Sequence, residues 1–241
     1  SPLLLGLGRG EMFLASDIPA FLAATREVVY LDDGELVRIE PESWQVLDGG
    51  SLAGKSKPVS SISWDIAAAE KGGHPHFMLK EILEQPRVIA DCLSGRIDPR
   101  RKRVQLPELE GLPTPERLKI VACGTSYHAG LWAKHLFEDW TGIEVEVDIA
   151  SEFRYRTLRF RPEDMVLSIT QSGETADTLA GLRIAREHQV PVLGLCNVLG
   201  STVARESDRV MYTQAGPEIS VASTKAMCSQ MTALLLLALF W

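Results

Sequence analysis

Two short segments rich in hydroxyl side chains each follow an apolar run and precede a helical pattern. The first covers residues 123–126 (CGTS) and the second covers residues 170–175 (TQSGET). Small residues at such a junction leave the first backbone N–H groups of the helix accessible, and the helix dipole adds partial positive charge. Each junction therefore predicts a site for an anion such as a phosphate group.

A third hydroxyl cluster, residues 220–225 (SVASTK), precedes the last helical pattern. Helix capping is the alternative interpretation of all three clusters, and for one junction alone it would be favoured by roughly three to one. Three clusters in one region leave capping and a phosphate-bearing ligand about equally supported. Lys225 could add positive charge, but a single lysine is most simply a surface residue.

Other chemistries find little support. The nucleotide-binding P-loop pattern is absent. Glu174, Asp177 and Glu218 are the acids nearest the junctions, and each could serve in acid–base catalysis or simply favour a helix N-terminus. Neither the four cysteines nor the histidines have metal-ligand spacing, so we expect no metal.

Composition and charge narrow the class of protein. The 241 residues are 45% hydrophobic with a net charge of −7, which predicts a folded chain and argues against a nucleic-acid partner. The closing apolar run, residues 233–241, is about half of the roughly 20 residues that span a membrane. It therefore predicts a buried helix and no membrane partner. Unpaired cysteines favour a reducing, cytoplasmic compartment.

Residues 116–241 alternate between strand and helix patterns, which predicts a doubly wound parallel sheet of the α/β class. Ser151 is expected to cap a short helical turn at residues 152–155. The predicted strands lie at residues 118–123, 144–149, 165–170, 192–196 and 210–213. The main helices are predicted at residues 127–140 and 225–241, with a third that residues 171–175 open and that runs to about residue 188.

Residues 1–65 have a β-rich pattern. Strands are predicted at residues 2–8, 12–15 and 44–47. Two β-prone runs around Asp33-Gly34, residues 28–31 and 36–39, predict a hairpin. A helix is predicted at residues 18–25, with Asp17 as its N-cap.

Between these regions, residues 76–93 have helical periodicity that Pro86 should break or kink. Residues 94–115 are rich in proline, glycine and charge, which predicts a linker. The chain starts at Ser1 and stops at Trp241, each within or beside an apolar run. We therefore expect a piece of a longer protein.

Four motifs together resemble the first sugar isomerase (SIS) domain of the glutamine–fructose-6-phosphate transaminases (isomerizing), the glucosamine-6-phosphate synthases. They are residues 123–126 (CGTS), 151–155 (SEFRY), 171–178 (QSGETADT) and 221–225 (VASTK). Two earlier segments resemble the end of that family's glutaminase domain and its interdomain segment. They are residues 6–11 with 15–17, and residues 76–82 with 84–86.

The resemblance implies three parts of the chain. Residues 1–69 would be the C-terminal part of the glutaminase, an N-terminal nucleophile hydrolase, and residues 70–115 would be the interdomain linker. Residues 116–241 would be the first SIS domain, with a flavodoxin-like sheet. The family makes glucosamine 6-phosphate and glutamate from fructose 6-phosphate and glutamine, and its SIS domains bind the sugar phosphate.

The resemblance also implies which residues bind substrate. The phosphate would contact Ser126, Thr170, Gln171, Ser172 and Thr175. The sugar end would contact Thr125, Val221, Ala222 and Ser223. Thr170 stands where we expect serine in relatives, and it keeps the hydroxyl group.

The family's catalytic residues and glutamine site are expected before Ser1 and after Trp241. We therefore expect no catalytic residue and no cofactor in this chain, and little activity from it alone. The full-length enzyme would be a homodimer. The alternatives are a non-catalytic SIS module that senses sugar phosphates, as in regulators, and a phosphosugar isomerase.

Overall fold

A computed structural model of the protein describes residues 3–16, 18–62 and 71–241. The chain divides into two compact units, Ser1–Gly72 and Gly73–Trp241. The predicted cap Asp17, Pro2 at the start of the first predicted strand, and the proposed domain boundary at residue 69 lie outside the described residues.

In its described residues, 3–16, 18–62 and 71–72, the first unit contains two antiparallel sheets, which confirms the β-rich prediction. The first sheet has the strand order β2-β1-β3-β7, and the second has the order β4-β5-β6. Their strands are β1 (Leu3–Leu7), β2 (Met12–Ala15), β3 (Glu27–Leu31), β4 (Glu35–Glu40), β5 (Ser43–Asp48), β6 (Gly54–Lys55) and β7 (Ser60–Ser61).

The predicted hairpin around Asp33-Gly34 is wrong, because β3 and β4 belong to different sheets. Val28 and Val29 are buried in separate hydrophobic clusters, so β3 has two apolar faces and lies inside the first sheet between β1 and β7. Strand β4 pairs with β5 instead, with Ile39 opposite Trp44. The Asp-Gly turn carries the chain from one sheet to the other.

The predicted helix at residues 18–25 is also wrong. Only Ile18–Ala20 forms a short 3₁₀ helix, and turns follow it. The segment ends where the Thr25 hydroxyl donates a hydrogen bond to the carbonyl oxygen of Leu7, at 2.5 Å. Eight residues are too few to sustain an isolated α-helix, so tertiary contacts determine this backbone.

The second unit begins with α1 (Phe77–Leu83) and α2 (Gln85–Leu93). The helices meet at Glu84, with Pro86 in the first turn of α2, which confirms the predicted break. The predicted linker continues as a small hairpin, β8 (Ile97–Asp98) with β9 (Arg103–Val104). Leu106 and Leu109 then join the main hydrophobic core, so this segment packs on the second unit.

Five parallel strands form the main sheet in the order β11-β10-β12-β13-β14. The strands are β10 (Arg117–Ala122), β11 (Glu144–Ile149), β12 (Asp164–Ile169), β13 (Val192–Cys196) and β14 (Arg209–Tyr212). The helices are α3 (Gly124–Thr141), α4 (Ala150–Phe153), α5 (Ala176–Glu187), α6 (Thr202–Glu206) and α7 (Lys225–Phe240).

Both faces of this sheet are buried. In β10, Leu118, Ile120 and Ala122 belong to the core under α3 and α7, whereas Val121 belongs to the core under α4, α5 and α6. Side chains alternate between the faces of a strand, so the apolar run serves both layers. The predicted doubly wound α/β fold is confirmed, and the strand order is flavodoxin-like.

Two details concern the predicted helices. Leu234 and Leu237 in α7 are fully buried, as the apolar run predicted. Among the described helices, none combines the length and apolar character required to cross a bilayer. Ser151 is not a cap, because α4 begins one residue earlier and its N-cap is Ile149.

Candidate functional site

The strand order places a topological switch point between β10 and β12. From β10 the chain crosses through α3 to β11 on one side, whereas β12 continues through α5 to β13 on the other. Ligands of open α/β sheets bind beyond the carboxyl ends of the strands at such a point. The two predicted anion-binding junctions, residues 123–126 and 170–175, directly follow these two neighbouring strands.

A cavity of about 370 Å³ lies at this switch point. All nine substrate-binding residues predicted from the sequence line it, and their contact with a ligand stays a prediction. They are Thr125, Ser126, Thr170, Gln171, Ser172, Thr175, Val221, Ala222 and Ser223. Five further residues complete the lining, namely Cys123, Gly124, Ile169, Glu218 and Ser220.

The loop after β12 presents hydroxyl groups on a fixed backbone. Thr170 is 3% exposed, and its Oγ1 lies 2.9 Å from Thr175 Oγ1. The backbone N–H of Glu174 donates to Ser172 Oγ at 3.1 Å. A serine hydroxyl that accepts a hydrogen bond still has its own proton to donate. Ser172 can therefore donate that proton to an anion in the cavity.

Gly173 allows this loop to pass close to its neighbours. Its φ of +72° lies in the left-handed region, and a Cβ added there would lie 2.0 Å from Ser201 Oγ. The Gly173 carbonyl accepts a hydrogen bond from the backbone N–H of Val203, at 3.0 Å. Only glycine fits both the backbone angle and the close approach.

The loop after β10 has a buried partner that the sequence analysis missed. Gln230, 1% exposed in α7, donates from Nε2 to Ser126 Oγ at 3.0 Å. Ser126 is itself 6% exposed, and it keeps its proton for a further acceptor. The only sequence signal for Gln230 was a polar residue within an apolar helical pattern.

The geometry separates capping from anion binding at the first two junctions. The N-cap of α3 is Cys123 and the N-cap of α5 is Thr175, and neither side chain makes a capping hydrogen bond. The hydroxyls there are not occupied as caps, and the first N–H groups of each helix have no side-chain cap. This favours an anion site over the capping interpretation.

The third hydroxyl cluster behaves differently, since the start of α7 is satisfied from within the chain. Glu218 Oε1 accepts hydrogen bonds from the N–H groups of Thr224 (2.8 Å) and Ala226 (3.2 Å). Ser223 Oγ accepts from the N–H of Met227 at 3.2 Å. The N-cap Thr224 itself makes no side-chain capping bond, so Glu218 and Ser223 together satisfy the first turn of α7. Residues 220–223 of the cluster form a wall of the cavity.

The other two acids near the junctions also have structural partners. Glu174 Oε1 accepts a hydrogen bond from the N–H of Thr202 at 2.7 Å, and Asp177 forms an ion pair with Arg154 at 2.8 Å. The first contact connects the loop before α5 to α6, and the second connects α5 to the segment after α4. Of the three acids considered, only Glu218 lines the cavity.

The predicted surface position of Lys225 is wrong. Its side chain is 1% exposed, and Nζ lies 2.6 Å from Glu84 Oε2. Burial raises the pKa of Glu84, but the hydrogen bond and charge of Lys225, with the charges of Lys80 and Arg87, outweigh it and lower the pKa overall. A buried lysine requires such a partner. The two residues are 141 positions apart along the chain, so the sequence pattern around Lys225 does not indicate the ion pair.

The cysteines differ in their environment. Cys196 is buried at the end of β13, and burial raises the pKa of its thiol to about 11. Cys123 is half-buried and lines the cavity. Across residues 3–16, 18–62 and 71–241, no group of three or more histidine, cysteine and acidic side chains could hold a metal ion.

Comparisons with family models and with curated proteins relate the chain to SIS domains and to aminotransferases, respectively. The family model described as "SIS domain" matches residues 112–240. The chain is 47% identical to the glutamine–fructose-6-phosphate aminotransferase [isomerizing] of Methanosarcina mazei over 99% of its own length. It is 49% identical to the protein of the same name from Caldanaerobacter subterraneus, again over 99% of its length. The chain spans 39% and 40% of these two relatives.

A solved structure supports the same comparison. The C-terminal domain of the glucosamine-fructose-6-phosphate aminotransferase of Francisella tularensis is 39% identical, with a TM-score of 0.64. The match covers 70% of this chain and 48% of that one. The resemblance stated from the four motifs is confirmed.

Proposed function

The chain belongs to the SIS domain family, and on that premise we propose that its cavity binds fructose 6-phosphate within a glutamine–fructose-6-phosphate aminotransferase. The observation that carries the proposal is the pair of uncapped hydroxyl junctions at the switch point. Relatives that are 47% and 49% identical over nearly the whole chain supply the particular substrate and reaction.

The phosphate of the sugar would lie between the two junctions. Ser126 and Ser172 would donate hydroxyl protons to its oxygens, while the N-terminal N–H groups of α3 and α5 and the dipoles of both helices would balance its charge. Gln171, Thr170 and Thr175 would complete the phosphate-binding loop. This arrangement needs no lysine or arginine in the cavity lining, because the donors are neutral hydroxyl and amide groups.

The sugar would extend from the phosphate toward Thr125 and the wall formed by the third cluster. Val221 and Ala222 are exposed, Ser223 is partly buried, and all three line the cavity. In the proposed reaction, hydrolysis of glutamine would release ammonia, which would condense with the ketone of fructose 6-phosphate, and the ketone oxygen would leave as water. Isomerisation to the aldose then gives glucosamine 6-phosphate, with glutamate as the second product.

This chain would supply sugar-phosphate binding rather than the catalytic groups. We assign residues 1–69 to the end of the glutaminase domain, residues 70–115 to the interdomain segment and residues 116–241 to the first SIS domain. The glutamine site and the isomerase acid–base residues would be elsewhere in a cytoplasmic, homodimeric enzyme.

The test is to remove one proposed phosphate donor. In the full-length protein, Ser172→Ala should weaken fructose 6-phosphate binding about tenfold to hundredfold, because a hydrogen bond to a charged group contributes about 1.5–3 kcal/mol. Ser207→Ala is the control. The Ser207 hydroxyl donates to the Val203 carbonyl oxygen at 2.7 Å, and Ser207 is not part of the cavity lining. Calorimetry that gives the same affinity for wild-type and Ser172→Ala protein would refute the phosphate assignment.

A further inference from the structure

Helix α1 has its polar residues inside and its apolar residues outside. Lys80 and Glu81 are 8% and 2% exposed. Four apolar side chains of the same helix are between 38% and 60% exposed, namely Met78, Leu79, Ile82 and Leu83. Burying a charged side chain costs free energy unless a hydrogen-bond partner compensates for the lost water. The buried carboxylate of Glu81 therefore requires a specific partner.

That partner is the backbone of the loop at residues 218–223, which contains residues 220–223 of the third hydroxyl cluster and lines the cavity. Glu81 Oε1 accepts hydrogen bonds from the N–H groups of Ile219 (2.7 Å) and Ser220 (3.3 Å). Its other oxygen, Oε2, is buried without a hydrogen-bond partner in the described part of the chain. The loop amides are thus the observed compensation for burying this carboxylate.

The loop is held at both ends. Glu81 fixes Ile219 and Ser220 immediately before the proposed sugar contacts, residues 221–223. Just after them, Lys225 is held by its buried ion pair with Glu84, at the junction of α1 and α2. Both anchors come from the segment that the sequence analysis treated as a linker, and they are 138 and 141 residues away along the chain.

We propose that Glu81 is a positioning residue of the sugar site, which fixes the backbone of Ile219 and Ser220 so that residues 221–223 face the ligand. This rests on the proposed binding of fructose 6-phosphate to the cavity. Since the carboxylate lies on α1, ligand binding and the position of α1 are thermodynamically coupled. Sugar-phosphate binding should stabilise α1 against the loop, and displacement of α1 should weaken binding.

The experiment compares Glu81→Gln with Asp91→Asn in the full-length protein. Both variants remove one carboxylate charge from neighbouring helices, but Asp91 contacts Arg87 and not the loop. Fructose 6-phosphate affinity is measured by calorimetry, and hydrogen exchange of residues 218–224 is measured by mass spectrometry. We expect Glu81→Gln to bind about threefold to tenfold more weakly, because the charged acceptor is lost. Its loop amides should also exchange faster, whereas Asp91→Asn should match wild-type protein.

The outcomes separate the two proposals. Wild-type protein that does not bind fructose 6-phosphate would overturn the proposed function and this inference with it. Wild-type binding with unchanged affinity in folded Glu81→Gln protein, or weaker binding without faster loop exchange, would overturn this inference alone. If Glu81→Gln does not fold, wild-type exchange decides, because unprotected Ile219 and Ser220 amides would contradict the anchor and protected amides would support it.

Discussion

The side-chain amide of Gln230 donates a hydrogen bond to the Ser126 hydroxyl across 3.0 Å, joining the buried face of α7 to the first turn of α3. The donor is 1% exposed and the acceptor 6% exposed. Because Ser126 Oγ already accepts this bond, its proton is directed to another acceptor, and the cavity offers space for a phosphate oxygen. Gln230, which is outside the cavity lining, thus makes the Ser126 hydroxyl a hydrogen-bond donor toward the cavity.

This contact predicts coupling between the two residues. Ser126→Ala should weaken fructose 6-phosphate binding about tenfold, and Gln230→Leu somewhat less, because it leaves the hydroxyl free to rotate. The double variant should bind no more weakly than Ser126→Ala, since Gln230 acts through the hydroxyl. Calorimetry on the four proteins measures the cycle. Additive losses would show that Gln230 affects the site by another route.

Gly173 gives a prediction about stability. Gly173→Ala should lower the free energy of unfolding by about 1–2 kcal/mol for the left-handed backbone and by a further 1–3 kcal/mol for the contact with Ser201. Gly142→Ala is the matched control, because its φ is +75° with no atom near the added Cβ. Denaturant unfolding should show the larger loss for Gly173→Ala. Equal losses would mean that the loop yields easily around Ser201.

The ion pair between Glu84 and Lys225 predicts an effect of pH. The pKa of Glu84 in the folded protein is below its ordinary value of 4.5, so the contribution of this group to stability is present above that value. It is lost as the pH falls through the lowered pKa, because the unfolded state then binds more protons. The charged form of Glu84 is therefore the one that stabilises the fold.

Glu84→Gln should accordingly cost about 3 kcal/mol at neutral pH by leaving Lys225 buried and unpaired. The difference from wild-type protein should shrink as the pH falls below 4.5. Glu138→Gln is the control, since its pair with Lys134 is partly exposed and should contribute less than about 1 kcal/mol. Urea unfolding at several pH values tests this. A deficit that stays constant in acid would contradict the assignment.

Local patterns were sufficient to predict the sheet and the hydroxyl clusters around the cavity, whereas the individual substrate contacts were implied by the family resemblance. Apolar runs that end in glycine and hydroxyl residues mark the ends of β10 and β12, and parallel strands bring those ends together. The contacts that support the site were not predictable in this way. Glu81, Glu84 and Gln230 act on residues more than 100 positions away. Nothing in the neighbouring sequence identifies these partners.

The errors in the first unit have a similar cause. The two β-prone runs around Asp33-Gly34 carry a strong hairpin signal, yet each has a better partner elsewhere. Leu5 of β1 lies opposite Val29, and Trp44 of β5 lies opposite Ile39. Cross-strand packing, which depends on the whole unit, outweighs the turn preference of two residues.

The cysteines give a prediction with an internal control. Cys123 lines the cavity and is half-buried, Cys228 is half-buried outside the cavity lining, and Cys196 is buried with a thiol pKa of about 11. At neutral pH, N-ethylmaleimide should label Cys123 and Cys228 before Cys196, because the thiolate is the nucleophile and burial blocks access. Saturating fructose 6-phosphate should slow labelling at Cys123 and leave Cys228 unchanged. Peptide mapping by mass spectrometry measures each site, and protection of both cysteines or of neither would contradict ligand binding in this cavity.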